Sequence, residues 1–214
     1  MNTNMIIAGI GTEVGKTVAS AVLVEALQAD YWKPVQSGYP PDSDTTTVRQ
    51  LISNARSQFH PETYRLREPL SPHAAAAAEG ITIDPAQLIP PKTANSLVVE
   101  LAGGLMVPLT DTYLNIDLIE QLSWPVVLVT RNYLGSINHT LLSVEALRRR
   151  NIPILGLIIN GSPVPATESL LLSYTGLPCL VRIQDELALT AEVVKRYAEQ
   201  VTLSQVITQV SAKP

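Results

Sequence analysis

The segment Gly9-Ile10-Gly11-Thr12-Glu13-Val14-Gly15-Lys16-Thr17 gathers the residue types that hold a polyphosphate. Glycines let a backbone wrap around an anion with its N–H groups pointing inward. A lysine followed by a hydroxyl residue adds a cation for the β/γ-phosphates and a ligand for Mg²⁺. The usual loop has four residues between its first glycine and the Gly-Lys pair. Here five residues separate Gly9 from Gly15, so the loop is one residue longer. The chemistry implied is binding of a nucleoside triphosphate with Mg²⁺, Lys16 on the phosphates and Thr17 on the metal.

Three more clusters follow short apolar runs. Lys33 lies in Lys33-Pro34-Val35-Gln36-Ser37-Gly38. It reads either as a buried ammonium that needs an anion or as an edge-strand lysine facing water. Asp44, in Pro41-Asp42-Ser43-Asp44, reads as part of a helix cap or, because Thr17 needs carboxylate partners around Mg²⁺, as a metal ligand. Glu100 is expected to end the strand Val98-Val99-Glu100 at the same sheet edge as the phosphate loop, as a Mg²⁺ ligand or water-positioning group. Gly103 and Gly104 after it permit close backbone approach to phosphate. His73 and His139 have no metal-ligand spacing and read as structural or substrate-adjacent. Cys179 reads as a small core residue.

These side chains need elements to place them. Residues 5–10 read as a buried strand. Residues 16–29 read as a helix with an apolar face of Val18, Val22, Ala26 and Ala29. Strands are also expected at 31–35, 95–100, 125–130, 153–160 and 178–183. Helices are expected at 44–54, 71–80, 136–150, 186–200 and 203–211, the helix 71–80 starting from Ser71 as cap with Pro72 at its first position and stopping at Gly80. Alternation of this kind implies βαβ units and a mostly parallel sheet in one α/β domain, with ligands at the carboxyl ends of the strands.

Composition agrees. Of 214 residues, 46% are hydrophobic, only 5% aromatic and 16% charged, which suits an aliphatic sheet covered by helices. A net charge of −4 with no basic stripe argues against nucleic acid or an anionic membrane as partner. One cysteine excludes an intramolecular disulfide. No apolar run reaches the roughly 20 residues of a membrane span, and Met1–Met5 lacks the features of a secretory signal, so a cytoplasmic location is expected.

Taken together the motifs resemble those of the dethiobiotin synthetase family. The resemblance rests on the lengthened loop, on Lys33-Pro34-Val35-x-Ser37-Gly38, on Ser71-Pro72-His73, on Val99-Glu100-x-Ala102-Gly103-Gly104 with Pro108-Leu109, and on Leu134-Gly135-Ser136-Ile137-Asn138-His139. It implies a single P-loop NTPase-like domain with a mostly parallel central sheet flanked by helices, acting as a homodimer. It also implies the ATP- and Mg²⁺-dependent carboxylation of 7,8-diaminononanoate by CO2/bicarbonate and closure to dethiobiotin. By position, Lys16 and Lys33 would be catalytic. Glu13, Val14, Gly15, Lys16, Thr17, Val18, Asp44, Glu100, Gly103 and Asn160 would bind ATP, with Asn160 reading adenine. Thr17, Asp44 and Glu100 would hold Mg²⁺. Thr12 and Ser37 would meet the nitrogen end of the substrate, and Ser136, Ile137 and Asn138 would meet its tail from the other subunit. The chain departs from the family at Gly11, where Asp is usual, and at Leu101, where Gly is usual and where Leu is expected to stiffen a nucleotide-facing loop. No Pro-containing adenine segment matches near Ile183-Gln184-Asp185.

Rival readings have weaker support. A partitioning or septum-positioning switch ATPase would carry a second lysine in the loop before Gly15, and Gly11 to Val14 offer none. An amidating ligase for another cofactor precursor would be expected to carry a glutaminase domain. A GTPase would show Asn-Lys-x-Asp, whereas Asn160 is followed by Gly-Ser-Pro.

Overall fold

A computed structural model of the chain describes residues 3–202. In chain order the elements are β1 Met5–Gly9, α1 Lys16–Leu27, β2 Asp30–Trp32, β3 Val35–Gln36, α2 Asp44–Leu51, β4 Tyr64–Arg65, α3 Pro72–Ala78, β5 Leu97–Gly104, α4 Asn115–Leu122, β6 Val126–Arg131, α5 Ser136–Arg149, β7 Ile154–Asn160, α6 Pro165–Thr175, β8 Cys179–Ile183 and α7 Ala191–Ala198. A single 3-10 turn occupies Pro85–Gln87.

Six strands form the main sheet in the order β2-β5-β1-β6-β7-β8, every neighbouring pair parallel. Successive side chains of a strand point to opposite faces, so one strand feeds two cores. Ile6, Ala8, Val99 and Leu128 pack beneath α3, α4, α5 and α6. Met5, Ile7, Val98 and Val127 pack beneath α1, α2 and α7. That double burial explains why the strands read as continuous aliphatic runs instead of alternating ones. The chain leaves β1 toward β2 on one side and later fills β6, β7 and β8 on the other. The gap beyond the carboxyl end of β1 is therefore the switch point, where a sheet of this kind opens a crevice.

Several boundaries differ from the expectations, each for a physical reason. The strand expected at 31–35 is two. Pro34 has no N–H to give a ladder, and its carbonyl instead accepts from Thr63 and Tyr64. β3 then pairs with β4 in a separate small sheet. Lys33 thus follows β2 and does not lie within it. The strand expected to end at Glu100 continues to Gly104, crossing a register shift against β1 between Ile7 and Gly9. Leu101 is accordingly a buried core residue of β5 and no part of a loop. The single apolar face assigned to α1 is also too narrow. This helix packs against both α2 and α7, and Ala19 through Val24 are buried all round, while Val18 and Ala26 are only half-buried.

Ser71 precedes α3, but its hydroxyl pairs with His73 Nδ1 at 3.0 Å and does not cap the backbone. The helix expected from 186 begins at Ala191, where Thr190 accepts from the Val193 N–H. Helices α4 and α6 were not anticipated. The helix expected at 203–211 lies outside the described residues.

Candidate functional site

The phosphate loop leaves β1 at Gly9 and enters α1 at Lys16. Gly15 stands before the helix at φ +88, and no side chain caps the helix start. A Cβ on Gly15 would lie 1.7 Å from Asn160 Nδ2, so both the dihedral and the space demand glycine. Gly103 is a second such point: at φ +69, its Cβ would meet Val107 Cγ2 at 2.8 Å. Glycine there lets the end of β5 lie against the loop.

Lys16 is buried, and its Nζ donates to the Gly11 carbonyl at 2.9 Å, so the ammonium folds back along its own loop. Burial lowers its pKa to about 8, with Glu100 pulling the other way. Thr17 Oγ1 lies 2.7 Å from Asp44 Oδ1 and 3.1 Å from Glu100 Oε1. Lys33 is buried and pairs with Asp44, and with Glu100 Oε1 at 3.2 Å. Burial opposes its charge, but Glu100 and Asp44 outweigh burial and hold its pKa above the ordinary lysine value. Burial likewise pushes Asp44 up, and Lys33, with the Thr17 hydroxyl and Lys16, more than reverses this. The water-facing reading of Lys33 is thereby excluded, and the anion-partnered one holds.

The local folding that turns Asp44 inward is plain. Ser43, and not Asp44, caps α2 by accepting from the Thr46 N–H at 3.1 Å. Gln36 Oε1 accepts from the Asp44 N–H at 3.0 Å, which leaves the carboxylate to face Thr17 and Lys33. Glu100 does not end its strand, yet it reaches the site from the middle of β5 because its neighbour β1 gives way to the loop two residues later. Its second oxygen accepts from Ser20 Oγ at 2.7 Å and Tyr31 OH at 2.9 Å. Neither partner was anticipated. Ser20 lies one helical turn beyond Thr17, a spacing that puts both on one face and could have revealed it. Tyr31 reads as core and carried no signal.

A cleft of 790 Å³ joins these groups. It is lined by Thr12, Glu13, Gly15, Lys16, Thr17, Val18, Lys33, Ser37, Asp44, Glu100, Gly103 and Asn160 from the expected set. Arg131 and the segment from Ile183 to Glu186 complete its far end. Val14 is buried beneath the loop and does not line it. Asn160 is largely committed: its Nδ2 donates to the Val14 carbonyl at 3.0 Å, and its Oδ1 accepts from Gly161 N–H at 2.9 Å. Ser37 Oγ is buried at the cleft wall with no hydrogen-bond partner among the described residues.

Ser136, Ile137 and Asn138 open α5 outside this cleft. Ser136 is buried, Ile137 half-buried and Asn138 exposed. Beside them a second cavity of 930 Å³ runs from Ile10–Thr12 past Met106 to His139, Leu142 and Arg149. Thr12 lines both cavities. His139 Nδ1 lies 2.7 Å from Tyr133 OH, and Cys179 is half-buried in β8.

The donor set suits Mg²⁺. Two carboxylate oxygens converge on one hydroxyl, and this ion is commonly held by one or two carboxylates with phosphate oxygens and water filling the rest. Among the described residues no cluster of three or more His, Cys, Asp or Glu forms an all-protein cage. The arrangement can hold a polyphosphate and a divalent cation beside two lysines, which is the equipment of phosphoryl transfer.

Comparison with known proteins gives the family and the fold. The profile of a family described as AAA domain matches residues 3–193. The chain is 47% identical over 193 residues to the ATP-dependent dethiobiotin synthetase BioD of Cytophaga hutchinsonii, covering 90% of this chain and 93% of that one. It is 47% identical over 200 residues to the protein of the same name from Christiangramia forsetii, covering 94% and 96%. Among solved structures, a ParA family ATPase from Chlorobium tepidum superposes with a TM-score of 0.58 at 12% identity over 98% of each chain. The septum site-determining protein MinD of Pyrococcus horikoshii, complexed with Mg-ADP, gives 0.59 at 13% identity over the whole of both chains. At such identity these two structures speak for the fold alone.

Proposed function

The chain belongs to the ATP-dependent dethiobiotin synthetases, and from that premise we propose that it forms dethiobiotin, ADP and phosphate from 7,8-diaminononanoate, CO2 and ATP, acting as one domain within a homodimer. The coarse part, an ATP-dependent ligase of this family, follows from the relatives. The finer part rests on one observation above all: Lys33 stands buried between Asp44 and Glu100, at the hydroxyl of the phosphate-loop Thr17.

The reaction needs three bond changes. One amine of the substrate adds to CO2 and loses a proton, giving a carbamate. A carbamate oxygen attacks the γ-phosphorus and ADP leaves, giving a carbamic-phosphoric anhydride. The second amine attacks the carbonyl carbon, loses a proton, and expels phosphate as the five-membered ring closes. Two anions must therefore meet, and the barrier is mostly one of placement and charge.

In this reading Lys16 leaves the Gly11 carbonyl to meet the β/γ-phosphates. The amides at the start of α1 face the same group. Lys33 holds its proton and pairs with the carbamate. Thr17, Asp44 and Glu100 would hold Mg²⁺, whose chemistry is to offset triphosphate charge. Ser37 and Thr12 would meet the nitrogen end of the substrate, Ser37 with a buried hydroxyl and Thr12 from a position lining both cavities. Asn160 keeps one amide N–H beyond its bond to Val14 and would offer it to the base. The helix start at Ser136–Asn138 would receive the tail carboxylate from the second subunit.

The test is ADP release with Mg²⁺, ATP and bicarbonate, with and without 7,8-diaminononanoate. The expected result is release that depends on the diamine, with dethiobiotin formed one-for-one. Release indifferent to the diamine would sink the ligase assignment while leaving the nucleotide site in place.

A further inference from the structure

We propose that Tyr31, together with Ser20, is a positioning residue that aims one oxygen of Glu100 into the cleft for the divalent cation. The inference rests on the Mg²⁺ role given to Glu100 above.

A carboxylate has two equivalent oxygens and rotates readily about its last bond, so a ligand carboxylate must be held if it is to present one lone pair in one direction. Glu100 is held from behind. Its Oε2 takes hydrogen bonds from Ser20 Oγ at 2.7 Å and Tyr31 OH at 2.9 Å, and both donors are fully buried. Its Oε1 is the oxygen that faces Thr17 Oγ1 at 3.1 Å and Lys33 Nζ at 3.2 Å. Two donors on Oε2 leave only Oε1 for the cleft and favour contact through a single oxygen.

Tyr31 is itself fixed. It pairs with Val98 of β5, two residues from Glu100, and exchanges backbone hydrogen bonds with Gln58 and His60. Its ring lies 6.0 Å from that of Phe59. The phenol therefore reaches Glu100 from rigid backbone, as a supporting shell must if it is to keep a ligand in place. Among the described residues, Glu100 is the one hydrogen-bond partner of the buried Tyr31 hydroxyl. Phenylalanine would fill the same space.

The experiment is calorimetric ADP binding to the intact protein, first in excess chelator and then across a series of free Mg²⁺ concentrations. With Tyr31→Phe, the Mg²⁺ concentration that half-restores tight ADP binding is expected to rise roughly ten- to a hundredfold, the usual cost of losing an outer-shell partner. Binding in chelator should be unchanged. Ser20→Ala removes the other donor on the same oxygen and should move the Mg²⁺ curve in the same direction. It decides the matter if Tyr31→Phe melts before it can be measured. Unaltered Mg²⁺ curves in folded variants would overturn the inference. So would an equal loss of ADP affinity with and without Mg²⁺, which is the mark of a packing defect. Failure of the underlying Mg²⁺ assignment shows elsewhere, as wild-type ADP affinity that ignores Mg²⁺.

Discussion

Lys33 carries the most consequence for its size. Removing its charge while keeping hydrogen-bonding capacity, as Lys33→Gln does, is expected to lower turnover at least about a hundredfold, the scale of losing one electrostatic stabiliser of a transition state. ADP affinity should change little, because the loop and Lys16 remain. The same variant leaves Asp44 and Glu100 without their counter-ion, so the metal-free protein should be less stable by about 3 kcal/mol or more, recovered in part with Mg²⁺ and ADP. Urea unfolding in chelator and with ligand measures both effects. Lys16 gives a pH signature. Its folded pKa of about 8 lies below the ordinary lysine value of 10.5, so between these two values the unfolded chain binds more protons. Stability of the empty protein should therefore rise with pH across that window, and the Lys16 contribution should be flat below it. Phosphate beside Lys16 restores its proton, so ATP binding near pH 9 should take up protons, seen as binding heats that vary with the ionisation heat of the buffer. Lys16 and Thr17 are legible from the phosphate-loop pattern, Lys33 and Glu100 because charge beside an apolar strand demands a reason, and Asp44 only through the need of Thr17 for carboxylate partners around Mg²⁺. Ser20 leaves only its helical spacing from Thr17 as a signal, and Tyr31 leaves none, since a tyrosine in an aliphatic strand looks like packing.

At the scale of elements, the strands of the main sheet are legible because double burial makes them unbroken aliphatic runs, whereas the two-residue β4 leaves no such run. The ends of the strands are not legible. Glu100 looks like a strand terminus because charge follows Val98-Val99, yet parallel pairing with β1 carries β5 on to Gly104. Helix α4 hid because Leu114 stands where a capping side chain belongs, and the Asp117 carboxylate accepts from the Leu114 N–H at 2.7 Å in its stead. Helix α6 did offer a signal, Pro165 at its first position and Gly176 at its end. Glu168 of α6 and Arg182 of β8 together tie the ends of three strands. Glu168 accepts from Arg182 of β8 at 2.7 Å and from Asn132, just after β6, at 2.7 Å, while Arg182 also donates to the Gly161 carbonyl after β7 at 3.1 Å. Hydrogen bonding from Arg182 holds the Glu168 pKa down at about 2 against the opposing effect of burial. A depressed carboxyl stabilises the fold above its ordinary value of 4.5 and loses that contribution as pH falls toward 2. Glu168→Gln should therefore lower the melting temperature at pH 7 and flatten its decline between about pH 4.5 and 2, as followed by circular dichroism.

For the whole molecule, strand order explains why one crevice collects everything. β1 sits between β5 and β6, so the loop after β1, the carboxylate of β5 and the ends of β6 to β8 face a single opening. The broad α/β architecture followed from alternation of patterns. The order of strands did not, because pairing partners distant in the chain leave no local mark. The same fold carries the ParA and MinD structures, so architecture alone does not separate a ligase from a switch. The proposed cross-subunit site has its own test. Lys33→Gln and Asn138→Asp proteins, each inactive, should regain about a quarter of wild-type activity when mixed and allowed to exchange subunits, since half the dimers then hold one intact site. Absence of recovery in subunits shown to exchange would place the tail site within one chain.

The central claim is that a carbamate oxygen, and not water, attacks the γ-phosphate in this cleft. The most direct measurement is the fate of ¹⁸O from freshly supplied C¹⁸O₂, in a reaction quenched before the label exchanges with solvent. The account predicts one ¹⁸O in the released phosphate, because the attacking oxygen leaves with phosphorus when the ring closes. Phosphate that carries no ¹⁸O, its fourth oxygen coming from water, while ADP accumulates would mean hydrolysis, and would contradict the account.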